Sequence, residues 1–137
     1  DNLTIINDVY NASPESMKAG IKMLMASKAE RHVAILGDMF ELGDESEVLH
    51  ESVGDYAVGA GLDLLITIGT NAEAIANAAK AANREAGRNI ASQTRLISYK
   101  DKDEAIKDLS TILHRGDLIL VKASRGMKLE DVISAIN

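Results

Sequence analysis

Leu64-Leu65-Ile66-Thr67-Ile68-Gly69-Thr70-Asn71 is the stretch on which the fold turns. Its first five residues carry one hydroxyl and no polar alternation. A strand of an open antiparallel sheet would alternate, because one of its faces meets water; an unbroken apolar run fits a strand covered on both faces, as in a parallel sheet packed between helices. A glycine ends the run. Ala72, Ile75, Ala76 and Ala79 then recur at helical spacing as a narrow stripe of small residues.

The same pattern repeats in both directions along the chain. Val33-Ala34-Ile35-Leu36, within His32–Gly37, and Leu118-Ile119-Leu120-Val121, within Leu118–Ala123, are further unbroken runs. Leu3–Asn7 and Arg95–Tyr99 are shorter strand candidates. Between them lie stripes at helical spacing: Met17, Ile21, Leu24 and Met25; Val48, Leu49, Val53, Tyr56 and Ala57; Ile106, Leu109, Ile112 and Leu113; Leu129, Val132, Ile133 and Ile136. Strand–helix alternation with right-handed crossovers predicts an α/β fold. Its form is a Rossmann-like, doubly wound sheet of five or six mainly parallel strands, with helices on both faces. Gly87–Ser92 breaks the alternation and reads as a long loop.

Helix-start signals agree with this. Ser13 is placed to cap the first helix, with Pro14 at its first position, where a missing N–H costs nothing. Thr70 with Glu73 has capping-box spacing, and Asp44 with Glu47 and Asp101 with Glu104 are acidic versions of it.

Composition narrows the function. A chain of 137 residues is read as one domain over residues 1–137. Apolar residues at 46% and charged residues at 26% are an ordinary globular balance. A net charge of −6 with 3% aromatics argues against a nucleic-acid surface, which needs clustered cations and stacking rings. The absence of cysteine excludes disulfides, thiolate catalysis and cysteine-based metal sites. No apolar run approaches the roughly 20 residues of a membrane helix, so no membrane insertion is expected. The start at Asp1 suggests a piece of a longer chain.

In a parallel sheet the strand C-termini share one edge, and ligands bind there. Asp8–Ser13, Gly37–Gly43, Gly69–Asn71, Tyr99–Asp101 and Lys122–Gly126 converge on it, and the first, second and fifth are rich in polar groups. Neither G-x-x-x-x-G-K-[ST] nor G-x-G-x-x-G is present. Gly69-Thr70-Asn71 could offer N–H groups to an anion, or simply pack tightly. The three histidines are scattered, and no set of side chains has metal-ligand spacing. On these grounds alone the chain does not look like a complete enzyme.

Three ordered motifs say more. Asp8-x-Tyr10-Asn11-Ala12-Ser13-Pro14-x-Ser16-Met17 is the first. Leu36-Gly37-Asp38-Met39-Phe40-Glu41-Leu42-Gly43, followed by His50, is the second. Val121-Lys122-Ala123-Ser124-Arg125-Gly126-Met127-x-Leu129-Glu130 is the third. Together they span essentially the whole chain and resemble signatures of the C-terminal domain of the Mur ligase family. Ala123 stands where that family often has glycine, which leaves open whether a left-handed backbone is needed there.

The resemblance implies a Rossmann-like domain of a cytoplasmic enzyme of peptidoglycan precursor synthesis. The implied reaction is ATP- and Mg²⁺-dependent amide-bond formation. The carboxylate of UDP-N-acetylmuramoyl-tripeptide is phosphorylated, and the amine of D-alanyl-D-alanine attacks the acyl phosphate. The family's N-terminal UDP-binding domain and central ATPase domain lie outside these residues. This domain would therefore complete the ATP site by closing over its central partner, and would be inactive alone.

Carried over residue by residue, the motifs put Asp8, Tyr10 and Asn11 at the ATP, with Asp8 taking ribose hydroxyls. They put Asp38, Lys122, Ser124 and Arg125 at the incoming dipeptide. Asp38 would meet its ammonium or orient its own loop, and Arg125 would grip its terminal carboxylate through two hydrogen bonds. The competing role of Lys122, Ser124 and Arg125 is to anchor the last helix or pair with the acidic loop. No residue is assigned to catalysis or metal binding, since the phosphate loop belongs to the absent domain. Structural roles compete at each position. Asp8 could be a turn or cap residue, Tyr10 and Asn11 could brace their loop, and Ser16 could support the first-turn cap. Met17 reads as core, Lys128 as solvent-facing and His50 as a helix-surface or packing residue. Asp38 begins a run to Asp55 with seven acidic residues and no Lys or Arg, a pattern that a solvated face also produces. Other expectations compatible with the fold are a related amide ligase, such as a folylpolyglutamate synthase or sister Mur ligase, and a non-catalytic Rossmann-like binding module.

Overall fold

The computed structural model describes residues 3–9, 12–87 and 93–136. Five parallel strands form one sheet: β1 (Thr4–Asp8), β2 (Arg31–Gly37), β3 (Leu64–Ile68), β4 (Arg95–Tyr99) and β5 (Asp117–Lys122). Their spatial order is β1-β5-β2-β3-β4. The helices are α1 (Pro14–Ala26), α2 (Ser46–Ala60), α3 (Glu73–Glu85), α4 (Lys102–Ile112) and α5 (Glu130–Ile136). The expected sheet of five or six strands thus has five among the described residues. Of the expected loop at Gly87–Ser92, residues 88–92 lie outside the described residues.

The strand runs divide by parity. Ala34, Leu36, Leu65, Leu118 and Leu120 face a core completed by Met17, Ile21 and Leu24 of α1, Val53 and Ala57 of α2, and Ile75 and Ala79 of α3. Val33, Ile35, Leu64, Ile66, Ile68, Ile119 and Val121 face the opposite core, closed by Ala105 and Leu109 of α4 and Val132 and Ile133 of α5. Burial on both faces explains why the central strands read as continuous apolar sequence. The outer strands β1 and β4 are only partly buried, which is why their runs are weaker. Val48 departs from its stripe. It is largely exposed, because the buried face of α2 runs through His50, Val53, Gly54 and Ala57.

This order creates a switch point. The connections leaving β1, β2 and β3 run over one face, and those leaving β4 and β5 over the other. At the carboxyl end of β5 the chain therefore turns away from both neighbouring strands, opening the crevice where α/β sheets take ligands. At the opposite edge Arg31 closes the barrel-less sheet with a two-pronged grip on buried Asp117, at 2.8 Å for both Nε and the terminal nitrogen, and with a bond to the Ile112 carbonyl.

Helices α2 and α3 touch closely enough that side-chain volume is excluded. A Cβ at Gly54 would collide with the Ile75 carbonyl oxygen, and backbone cannot step aside as a flexible side chain can. Gly59, on the same helix, has open space instead. Gly54→Ala is expected to destabilise the fold by roughly 3 kcal/mol. Gly59→Ala should be neutral or stabilising by up to about 1 kcal/mol. Urea unfolding of both variants checks the pair; equal effects would mean that α2 and α3 are not packed backbone to backbone.

Candidate functional site

The first motif straddles the end of β1. Ser13 caps α1: its Oγ accepts from the Ser16 N–H at 3.1 Å, and the Ser16 Oγ accepts from the Ser13 N–H at 2.8 Å. This reciprocal box settles Ser16 as cap support, with Pro14 at the helix start and Met17 fully buried. Asp8, the last residue of β1, stays about half exposed (47%), and its Oδ2 takes the ammonium of Lys122 at 2.5 Å. Tyr10 and Asn11 lie outside the described residues.

Lys122 ends β5 beside Asp8, and the two strands pair there residue for residue. Its side chain is 3% exposed. Its ammonium meets the carboxylate of the first motif. Two residues on, Ser124 donates its N–H to the Asp38 carbonyl at 2.9 Å and accepts the Phe40 N–H on Oγ at 2.7 Å. Arg125 opens a 3-10 turn (Arg125–Met127) and is exposed at the edge. Ala123 is buried and lies outside the residues with positive φ, so this position places no demand on a glycine's backbone freedom.

The second motif is the most constrained part of the edge. Asp38 follows β2 directly, is 7% exposed, and accepts the Ala72 N–H on Oδ1 at 2.7 Å. This carboxylate, from the neighbouring strand's loop, caps α3. The expected Thr70–Glu73 box does not form, because α3 starts at Glu73 with Ala72 at its cap position and no capping side chain of its own. The anion that Gly69-Thr70-Asn71 was placed to receive is therefore a side chain of the protein. Gly69 is required here, with φ of +122° and the Asp38 carboxylate where a Cβ would stand. Asp44 also caps nothing, since Gly43–Glu45 is a 3-10 turn leading into α2. Asp101 does cap α4, accepting the Glu104 N–H at 2.9 Å.

Of the two expectations for His50, helix surface or packing, the structure takes the second: it is fully buried. Its Nε2 accepts the Met39 N–H at 3.0 Å, and its Nδ1 lies 2.7 Å from the Ser46 carbonyl. An acceptor at one nitrogen and a carbonyl at the other define a neutral ring with the proton on Nδ1. His50 thus fixes the loop that carries Asp38 and Phe40.

A groove of about 360 Å³ lies between these loops, lined by Asp38, Gly69, Lys100, Lys102, Gly126 and Lys128 among others. Lys100 and Lys102 went unremarked in the sequence, where they are single letters at a strand–helix junction; only the parallel sheet brings them to Asp38. Lys102 is tied to Asp131 at 2.6 Å. Among the described residues there is no group of three or more His, Cys, Asp or Glu side chains able to hold a metal, and no helix long and apolar enough to cross a membrane.

The edge thus combines an ion-paired carboxylate, a buried acidic cap, a serine–arginine turn and lysines around a groove, all at the switch point of an α/β sheet. Such an edge suits a nucleotide or a charged small substrate. The family model described as "Mur ligase, glutamate ligase domain" matches residues 1–125, and the chain belongs to the Mur ligase family as its C-terminal domain. Its relatives point to one member. The UDP-N-acetylmuramoyl-tripeptide–D-alanyl-D-alanine ligase of Bacillus subtilis (strain 168) is 37% identical over 132 residues, covering 96% of this chain and 27% of the relative. The ligase of the same name from Escherichia coli (strain K12) is 35% identical, covering 99% and 27%. The MurF ligase of Thermotoga maritima, solved in complex with ADP, superposes with a TM-score of 0.76 at 29% identity, covering 99% of this chain and 28% of that one. A MurF structure from Acinetobacter baumannii gives 0.80 at 27%, covering 98% and 28%. The chain therefore spans little more than a quarter of the length of these relatives.

Burial raises the Asp38 carboxyl above its ordinary value of 3.8, and the N–H groups of Ala72 and Asn71 only partly offset this. The folded chain therefore binds this proton at higher pH than the unfolded chain does. The stability it contributes is complete below 3.8 and is lost as pH rises through the folded value. Asp38→Asn removes the titration but leaves an oxygen for Ala72. The stability of the parent relative to this variant should accordingly fall as pH rises from about 3 to about 7. Denaturation curves that stay parallel over that range would show that Asp38 does not titrate there.

Proposed function

We propose that these residues are the C-terminal domain of an ATP-dependent ligase that joins D-alanyl-D-alanine to UDP-N-acetylmuramoyl-tripeptide in the cytoplasm, for peptidoglycan precursor synthesis. The observation that carries this reading is the Lys122–Asp8 ion pair, which binds the first motif to the third across β1 and β5. One continuous edge then holds a nucleotide end and a dipeptide end.

Asp8 is assigned to the ribose. One of its oxygens takes Lys122 and the carboxylate remains half exposed, so it retains capacity to accept hydroxyl hydrogen bonds. Tyr10 and Asn11 extend the same end. ATP with Mg²⁺ supplies activation of the tripeptide carboxylate when bound, and we assign the triphosphate and the metal to a central ATPase domain outside residues 1–137. Arg125 is assigned to the terminal carboxylate of the dipeptide, with Ser124 holding the turn that presents it. Asp38 lines the groove as the counter-charge for the dipeptide's ammonium. Lys122 serves the substrate side through Asp8, holding that carboxylate in place. The amine, freed of its proton, attacks the activated carbonyl; the amide bond forms as the acyl–phosphate bond breaks and phosphate leaves. What this domain contributes is position and the exclusion of water.

Residues 1–137 alone should show no ATP-dependent ligation, whereas the full ligase should use D-alanyl-D-alanine as its amine; turnover by the isolated domain would overturn the division of labour. In the full ligase, Arg125→Ala should raise the KM for the dipeptide about tenfold or more, in line with loss of a charged hydrogen bond, and leave that for ATP nearly unchanged. Unchanged dipeptide kinetics would take Arg125 out of the site.

A further inference from the structure

Phe40 is the single phenylalanine of the chain and stands 41% exposed. Among the described residues the other exposed large apolar side chains, Met23 and Val48, lie on helices, whereas Phe40 lies in a loop of the carboxyl edge. An exposed ring on a mobile loop could fold away. This loop cannot release it. The Phe40 N–H is held by Ser124 Oγ, the preceding Met39 N–H by buried His50, and the Asp38 carbonyl by the Ser124 N–H. Met39 fills the core at 1% exposure, so its neighbour is turned outward. Glu41 then leaves in the left-handed region, at φ of +63°, a conformation rare for a side chain of this kind. The ring rests on the backbone of Gly126, whose absent Cβ would stand 2.8 Å from Cε2. It is therefore seated next to Arg125, on the turn that Ser124 anchors.

The structure assigns Phe40, we infer, as a specificity-determining contact: a rigid apolar wall that reads the methyl group of the C-terminal D-alanine while Arg125 holds the adjoining carboxylate. The inference rests on the assignment of Arg125 to the dipeptide. Its physical content is the pairing of a cation with an apolar surface on one turn. That pairing matches a small amino acid's carboxylate and side chain, which branch from one carbon. A pinned wall loses little freedom on binding, so the contact is pre-organised. One methyl group in an apolar site is worth about tenfold or more in discrimination.

The test uses the full ligase with D-alanyl-D-alanine and D-alanyl-glycine, which differ by that methyl. The parent should prefer the alanine dipeptide in kcat/KM by about tenfold or more. Phe40→Ala should raise the KM for D-alanyl-D-alanine and bring the preference to within about twofold of unity, with the KM for ATP unchanged. Phe40→Leu, which keeps an apolar wall, should retain most of the preference, and thermal melts of both variants report their folding. A preference unaltered in Phe40→Ala overturns the assignment. So does a parallel rise in the KM for ATP, which would mark Phe40 as a contact of domain closure. A ligase that uses neither dipeptide instead refutes the functional reading itself, and this inference with it.

Discussion

The bond from the Ala72 N–H to the buried Asp38 carboxylate is the constraint on which the working edge depends. It joins the loop leaving β2 to the start of the helix leaving β3, two connections that also pack against each other through α2 and α3. A helix start carries unpaired N–H groups and partial positive charge, so a carboxylate there satisfies both. A charged hydrogen bond of this kind contributes about 1.5–3 kcal/mol, set against the cost of burying the charge. The raised pKa of Asp38 shows that the cost is felt. The same loop is held by His50 behind it and Ser124 beside it, and every one of these bonds uses the backbone of residues 38–40. Backbone anchoring fixes where Phe40 points without consuming its side chain.

The second tie at this edge is of a different kind. Lys122 is buried and Asp8 is half in water. Such a pair is asymmetric: the lysine has lost its hydration and depends on the carboxylate, while the carboxylate keeps a solvated side. A ligand hydroxyl arriving at Asp8 displaces water and leaves the lysine's partner in place. The pair therefore suits a position that must keep its geometry whether the site is filled or empty.

The sequence was most legible where burial is uniform. Val33–Leu36, Leu64–Ile68 and Leu118–Val121 lie inside the sheet on both faces, so their apolar runs mapped directly onto β2, β3 and β5. The cap at Ser13 was equally plain, because both partners lie three residues apart. What failed were local signals overruled by distant partners. Thr70-x-x-Glu73 has the spacing of a cap, but a carboxylate 34 residues earlier reaches the helix first. His50 looked like one of three scattered histidines, since its partner is a backbone N–H, which no letter of the sequence records. Lys122 reads beside Ser124 and Arg125 as one cationic cluster. The strand ends at Lys122 and Arg125 opens the turn beyond it, while pairing with β1 brings the lysine to Asp8.

Phe40 illustrates the remaining gap between motif and site. Within Leu36–Gly43 it fills the variable letter, flanked by residues with clear structural duties. Those duties are what make the variable letter informative. Asp38 and Met39 spend their side chains inward, and their backbone groups go to Ser124 and His50. The exposed ring of Phe40 is then free to differ between ligases at little cost to the fold. A position that is rigid in backbone, outside the core and adjacent to the charged anchor is where a common scaffold can change which amine it accepts.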